Sequence, residues 1–249
     1  MIFREGKLKT NDSIDIFVVF DNIAFDEKLE TSWGFSSVLR LPQRTILFDT
    51  GGDGLILLHN LEKLGIDPDK IDTIVLSHIH GDHIGGLTDF LKKNSDVIVY
   101  IPKSFPTSIK EAIKSYGAGV KEVSGSTEIS ENVYTTGELN SGIKEQSLIL
   151  KTIKGLVVVT GCAHPGVVNI LKKAVEVGRD RVYMVMGGFH LMGMSPLDLE
   201  YIIEKFVELK VERVAPSHCS GKEAFRLFEK HYRSNYVRSG AGRIISIND

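Results

Sequence analysis

The chain alternates short apolar runs with stretches whose apolar residues recur every three to four positions, the signature of strands interleaved with amphipathic helices. Residues 13–20 begin with alternation and end wholly apolar, which predicts a strand entering a covered sheet. Residues 22–34 have no sustained period and read as a long loop, a feature that in compact domains usually serves function. Residues 35–40 and 44–48 predict two strands joined as a hairpin through Leu41-Pro42-Gln43. Helical spacing follows over 53–64, with Gly65 as its stop. Then come a strand over 71–76, a helix over 85–93, a strand over 97–101 and a helix over 106–116.

The texture changes after residue 119. Five short strand-like runs, 120–123, 128–129, 133–136, 147–152 and 156–160, are separated by Gly, Ser and Asn and read as an antiparallel meander. Alternation then resumes with helices over 166–177, 196–209 and 221–232 and strands over 181–186 and 212–215. A last strand pair, 236–238 with 243–247, closes the chain. No linker rich in Pro, Gly or Ser divides it, so residues 1–249 read as one domain of α/β class. Its two halves each supply a sheet, the sheets lie back to back, and the helices cover their outer faces.

Composition narrows the classes. Thirty basic against thirty-two acidic residues leave a net charge of −2, which argues against a sequence-independent grip on nucleic acid. No apolar run has the length of a membrane span, and Met1-Ile-Phe-Arg-Glu-Gly-Lys lacks the basic-then-apolar order of a secretory signal, so a cytoplasmic protein is expected. Two cysteines, Cys162 and Cys219, are too few for a disulfide framework. Oligomeric state leaves no trace in the sequence.

The chemistry gathers at predicted strand ends. Residues 76–86 read Leu-Ser-His-Ile-His-Gly-Asp-His-Ile-Gly-Gly, placing His78, His80, Asp82 and His83 at the spacing His-x-His-x-Asp-His. In a strand leading into a loop, positions i and i+2 share a face, so His78 and His80 can converge on one cation while Asp82 and His83 are offered to a second. Imidazole and carboxylate suit zinc, iron or manganese, and the cluster has no thiolate to single one out; zinc is the leading expectation, with iron or manganese as alternatives. Three other strand ends carry histidine: Cys162-Ala163-His164-Pro165-Gly166, Gly187-Gly188-Phe189-His190 and Ser217-His218-Cys219-Ser220-Gly221. Ligands in open α/β sheets sit at the carboxyl ends of strands, so these four ends are expected to share one rim. His59 and His231 fall within predicted amphipathic helices and read as surface or boundary residues. Cys162, two residues before His164, would share its face and border the metals; Cys219 would point away; both could also be small buried hydrophobes.

The set Asp49-Thr50-Gly51, His78-x-His80-x-Asp82-His83, His164 and His218, in this order, resembles the metallo-β-lactamase superfamily. Trp33-Gly34-Phe35-Ser36, Gly161 to Gly166, Gly187 to Leu191 and Ser217 to Gly221 are similar to its branch of metal-dependent hydrolases related to dihydropterin–ribofuranosylaminobenzene phosphate synthase. The resemblance implies a four-layer αβ/βα sandwich with two metal sites at one edge. It assigns His78, His80 and His164 to the first metal and Asp82, His83 and His218 to the second, with Asp49 buried beneath them. One departure stands out: many members bridge their metals with an aspartate at the end of the strand matching 181–186, where this chain has Gly-Gly-Phe-His. Either His190 fills the gap as a ligand, or it faces substrate and the second site is weak or empty.

A metal pair holding a bridging water as hydroxide needs no protein nucleophile, and Gly-x-Ser-x-Gly is absent. The expectation is therefore hydrolysis of a phosphoester, thioester or lactone in a small, anionic molecule, with Asp82 and His190 as catalytic candidates. Asn22, Trp33, Phe35, Ser36, Phe189 and Ser239 are the candidate substrate contacts, although Trp33 and Phe35 could equally belong to the core. The branch resemblance supplies a second expectation, a transferase joining a dihydropterin methyl diphosphate to an aryl-amine ribose phosphate. A metal-dependent sensor without catalysis is the third.

Overall fold

A computed structural model describes residues 13–140 and 142–247 of the 249. The N-terminal segment read above for a secretory signal lies outside them. Strands β1 (Ile14–Asp21), β2 (Phe35–Leu41), β3 (Arg44–Phe48), β4 (Thr73–Val75), β5 (Ile98–Pro102), β6 (Gly119–Val123) and the C-terminal β13 (Ile244–Ile247) form one sheet, in the order β13-β1-β2-β3-β4-β5-β6. Strands β7 (Thr127–Ser130), β8 (Val133–Thr135), β9 (Leu148–Thr152), β10 (Gly155–Thr160), β11 (Val182–Gly188) and β12 (Arg213–Ser217) form the second, in the order β12-β11-β10-β9-β8-β7.

Alternation along the strands builds the layers. In β1, Ile14, Ile16 and Val18 join Val157 and Val159 of β10 in one buried cluster between the sheets, while Phe17 and Val19 face outward. The outer face of the first sheet is covered by α1 (Gly54–Lys63), α3 (Leu87–Lys93) and α4 (Thr107–Ser115), and that of the second by α5 (Val167–Gly178), α6 (Pro196–Glu208) and α7 (Lys222–Tyr232). This is the αβ/βα sandwich. Helix starts follow their caps: the Asp53 side chain accepts from the Leu55 and Ile56 amides, and Ser195 accepts from Asp198. Among the described residues no helix is long and apolar enough to cross a membrane.

Two expectations change. Residues 120–123 do not begin the meander; β6 pairs in parallel with β5 and completes the first sheet, and the second sheet starts at β7. Nor do 236–238 and 243–247 pair with each other. Tyr236 makes only an isolated bridge to Val214, and β13 adds antiparallel to β1, so the two ends of the described chain share one edge.

The arrangement aims the strand ends. β3, β4 and β5 are parallel, as are β10, β11 and β12, so each sheet delivers its carboxyl ends to a single rim.

Candidate metal centre

Four non-glycine residues of this rim, Asp49, Ala163, His190 and His218, have φ between 49 and 66°. Left-handed backbone is costly for residues with a Cβ and persists where the surroundings over-determine it. Here it bends each chain sharply off its strand and turns the side chains inward.

The loop after β4 carries the first donors. His78 Nε2 and His80 Nδ1 face each other at 3.1 Å, and with His164, from the loop after β10, their ligand atoms lie within 4.8 Å of one another. A second group under the same limit joins Asp82 and His83, on the short helix α2 (Gly81–Ile84), to His218 and Cys162. The rings of His78 and His83 are 4.2 Å apart, so the two groups are adjacent.

Four of the five imidazoles have Nδ1 engaged. His78 Nδ1 donates to Ser77 Oγ (2.8 Å), whose hydroxyl donates to Asp49 Oδ2 (2.7 Å). His83 Nδ1 donates to the same Asp49 Oδ2 (2.7 Å), and Asp49 Oδ1 accepts the Ser77 amide (2.6 Å). His164 Nδ1 donates to Glu145 Oε2 (2.9 Å), and His218 Nδ1 to Asn22 Oδ1 (2.8 Å). The tautomers follow from these partners. All four therefore turn a bare Nε2 lone pair toward the rim, the state a cation requires.

Electrostatics keep the two most buried rings neutral, as ligation requires. Burial pushes His78 down to about 3 and His83 down to about 4, so both are neutral. Burial also lifts the Asp49 carboxyl to about 7, against the favourable contacts of His78 and Ser77. At Asp82 burial is outweighed by His218 and His83, which hold the carboxylate well below its usual range. Burial disfavours a charged His218, yet Asp82 beside it raises the imidazole overall. His218 Nε2 is buried without a hydrogen-bond partner, 3.3 Å from Asp82 Oδ2. An orphaned ring nitrogen facing a carboxylate, with His83 Nε2 3.6 Å from the same oxygen, fits a divalent cation.

Glu145 escaped the sequence reading. It is fully buried, and its carboxylate accepts the amides of Cys162, Ala163 and His164 as well as the His164 ring. Burial opposes its charge, but these donors bring it down to about 2. Asp21 escaped too: it is buried beside His218 at the end of β1, where burial lifts it to about 7. An acid two residues before a predicted strand carries no pattern that marks it, so no sequence signal pointed to Glu145.

The other candidates divide. Trp33 is 48 % exposed, its ring 4.9 Å from that of His218, and with Met192 it walls the open mouth of the rim. Phe35, two residues on, is inside β2 and wholly buried between the sheets, so it is core and not a substrate contact. Ser36 is buried as well and donates to the Asp49 carbonyl (2.7 Å), a loop-holding role. Phe189 packs on Phe206 and Phe228, with only 1 % exposure at the base of a cleft beside the rim. Ser239 lines a separate depression with Ile23 and Phe225. Asn22 acts through His218. His190 is exposed, its ring 4.5 Å from that of His164, and it falls in neither imidazole-rich group; its ligand atom neighbours those of Cys162 and Cys219. Cys219 does not point away, because the 3-10 turn His218–Ser220 swings it back toward the Cys162 carbonyl (3.5 Å). No carboxylate stands at the end of β11. A Cβ on Gly188 would lie 2.4 Å from the Gly161 oxygen and 2.7 Å from Cys219 Sγ.

The fold and this rim define a class. The profile of the metallo-beta-lactamase superfamily matches residues 34–218, and the chain belongs to that superfamily. More particularly, it is 28 % identical to the 7,8-dihydropterin-6-methyl-4-(beta-D-ribofuranosyl)-aminobenzene-5'-phosphate synthase of Methanocaldococcus jannaschii, over 98 % of this chain and 99 % of the relative. A crystal structure of Tm1679, described as a metal-dependent hydrolase of the beta-lactamase superfamily, superposes with a TM-score of 0.80 at 30 % identity, covering 95 % of this chain and all of the other. A diphosphatase from the PhnP family shares the fold, with a TM-score of 0.63 at 15 % identity over 94 % of this chain and 97 % of its own.

Proposed function

We propose that the chain is a metal-dependent hydrolase of a small anionic molecule bearing a phosphoester, thioester or lactone-type bond. The carrying observation is the pair of adjacent donor groups, built on His78, His80 and His164 and on Asp82, His83 and His218, at an open rim. Divalent cations held there, zinc foremost, would supply Lewis acidity and lower the pKa of water.

The chain's own residues do the rest. The Asp82 side chain is 20 % exposed, ionised and faces the mouth, so it is placed to accept a hydrogen bond from an attacking water and orient it. His190 stands at the same mouth beside His164, placed to hydrogen-bond a leaving group. Trp33 offers a flat apolar wall. A neighbouring cleft of about 340 Å³ between α5 and α6 adds Lys172, Lys205 and Tyr201, partners for a negatively charged, partly aromatic substrate.

That cleft, with the full-length likeness to a synthase, supports a second reading: a transferase that seats a second substrate beside the metals while a diphosphate departs. Turnover of bis(p-nitrophenyl) phosphate or simple thioesters, abolished by chelator and by His80→Ala, is the result expected of the hydrolase. Diphosphate release requiring two cosubstrates would replace it with the transferase. Inertness toward both substrate sets at full metal loading would leave a sensor.

A further inference from the structure

We propose that Cys162 supplies a thiolate ligand to the cation of the second donor group, completing a set of one carboxylate, two imidazoles and one sulfur with Asp82, His83 and His218. The inference rests on the metal-centre reading above and deepens it.

Cys162 Sγ lies 3.2 Å from His83 Nε2. Asp49 occupies the other nitrogen of His83, so the nitrogen facing the sulfur carries a lone pair. The orphaned, buried Nε2 of His218 belongs to the same group, with all four ligand atoms within 4.8 Å of one another. Two lone pairs, a carboxylate and a sulfur converging at the foot of the rim are mutually repulsive unless a proton or cation sits among them.

The sulfur is also held in place. Glu145 Oε1 accepts both the Cys162 and Ala163 amides (3.0 and 2.8 Å), and the left-handed Ala163 turns the chain so that His164 can serve the first group while Cys162 serves the second. No side chain competes from β11, where Gly188 has no room for one; Cys219 and His190 also bring a ligand atom within 4.8 Å of the Cys162 sulfur, which is why Cys219→Ser belongs in the test. Four donors of mixed N, O and S type match tetrahedral zinc and disfavour manganese or magnesium. On binding, the thiol proton leaves to solvent and the sulfur lone pair forms the new bond to the cation.

The test uses the full chain, stripped by chelator and titrated with Co(II). Wild type and Cys219→Ser should both develop a near-ultraviolet sulfur-to-cobalt charge-transfer band with the second equivalent. Cys162→Ser should lack that band, keep the ligand-field bands of the first equivalent, and bind the second at least 10–100-fold more weakly. Zinc-edge X-ray absorption of loaded wild type, which needs no variant, should show a Zn–S shell near about 2.3 Å. An unchanged band in Cys162→Ser, a band lost only in Cys219→Ser, or a zinc shell of N and O alone overturns the assignment. Failure of wild type to bind any Co(II) overturns the metal-centre reading itself, and the ligand with it.

Discussion

Removing the charge of Glu145 should cost both fold and metal. Its Oε1 serves the Cys162 and Ala163 amides, and its Oε2 serves the His164 amide and ring. In Glu145→Gln the carbonyl oxygen can keep one pair, but the new NH2 then faces two donors. Losing two bonds to a charged acceptor, at about 1.5–3 kcal/mol each, amounts to about 3–6 kcal/mol. The lower figure is expected, because the His164 side chain is 11 % exposed and can turn to water. Glu145→Ala strands three buried amides and should lose about 5 kcal/mol or more, a large share of a typical domain's 5–15 kcal/mol. Urea unfolding followed by circular dichroism in chelator measures both. Zinc titration should show His164's group weakened by about 10–100-fold in the Gln variant. A Gln variant within about 0.5 kcal/mol of wild type would refute the view that this carboxylate organises the loop.

Other outcomes follow from the same geometry. Asn22→Leu removes the acceptor that sets the His218 tautomer and should weaken the second group's affinity by about 10–100-fold, while Asn22→Asp restores it; isothermal titration reads the difference. Gly161→Ala would place a Cβ 2.2 Å from Ser77 Oγ and 3.0 Å from Asp49 Oδ2, and should destabilise by about 1–3 kcal/mol, a fall in Tm of roughly 2–10 °C. Glu145 is shifted from 4.5 to about 2, so its contribution is complete above 4.5 and disappears as pH falls through that interval; Asp82, also depressed, acts in the same direction. Urea midpoints measured across it should drop steeply, and less steeply in Glu145→Gln. Trp33 is the chain's one tryptophan and touches His218, so its fluorescence should be quenched when Cu(II) or Co(II) enters, and His218→Ala should remove the response.

Local signals made most of the layers legible. Strand alternation and helical period located nearly every element, and histidine at four strand ends pointed to one rim because parallel strands must finish on the same side. What pairs across the sequence was not legible. Nothing local distinguishes β6 from β7, since both are short and half-exposed; the helix α4 before β6 is what makes its connection a parallel crossover. Trp33 and Phe35 are the same chemistry two residues apart, and only the start of β2 between them puts one at the mouth and the other in the core. Extended backbone after His218 would point Cys219 away from the rim, but the chain turns left-handed at His218 and brings it back. Glu145 acts on amides seventeen to nineteen positions away, a relation with no period to detect.

Each donor group draws on both sheets: His78, His80, Asp82 and His83 follow β4, whereas Cys162, His164 and His218 follow β10 and β12. A cation at either place is thus a rivet between two layers otherwise joined by side-chain packing, chain connectivity and a few hydrogen bonds, such as those from Gln146 to the Leu76 and Ser77 carbonyls. Saturation at a hundred times Kd would add about 2.7 kcal/mol per ion to global unfolding. The gain would be felt first where the layers meet at the rim, so amide exchange there should slow on loading far more than at the distal hairpin turns.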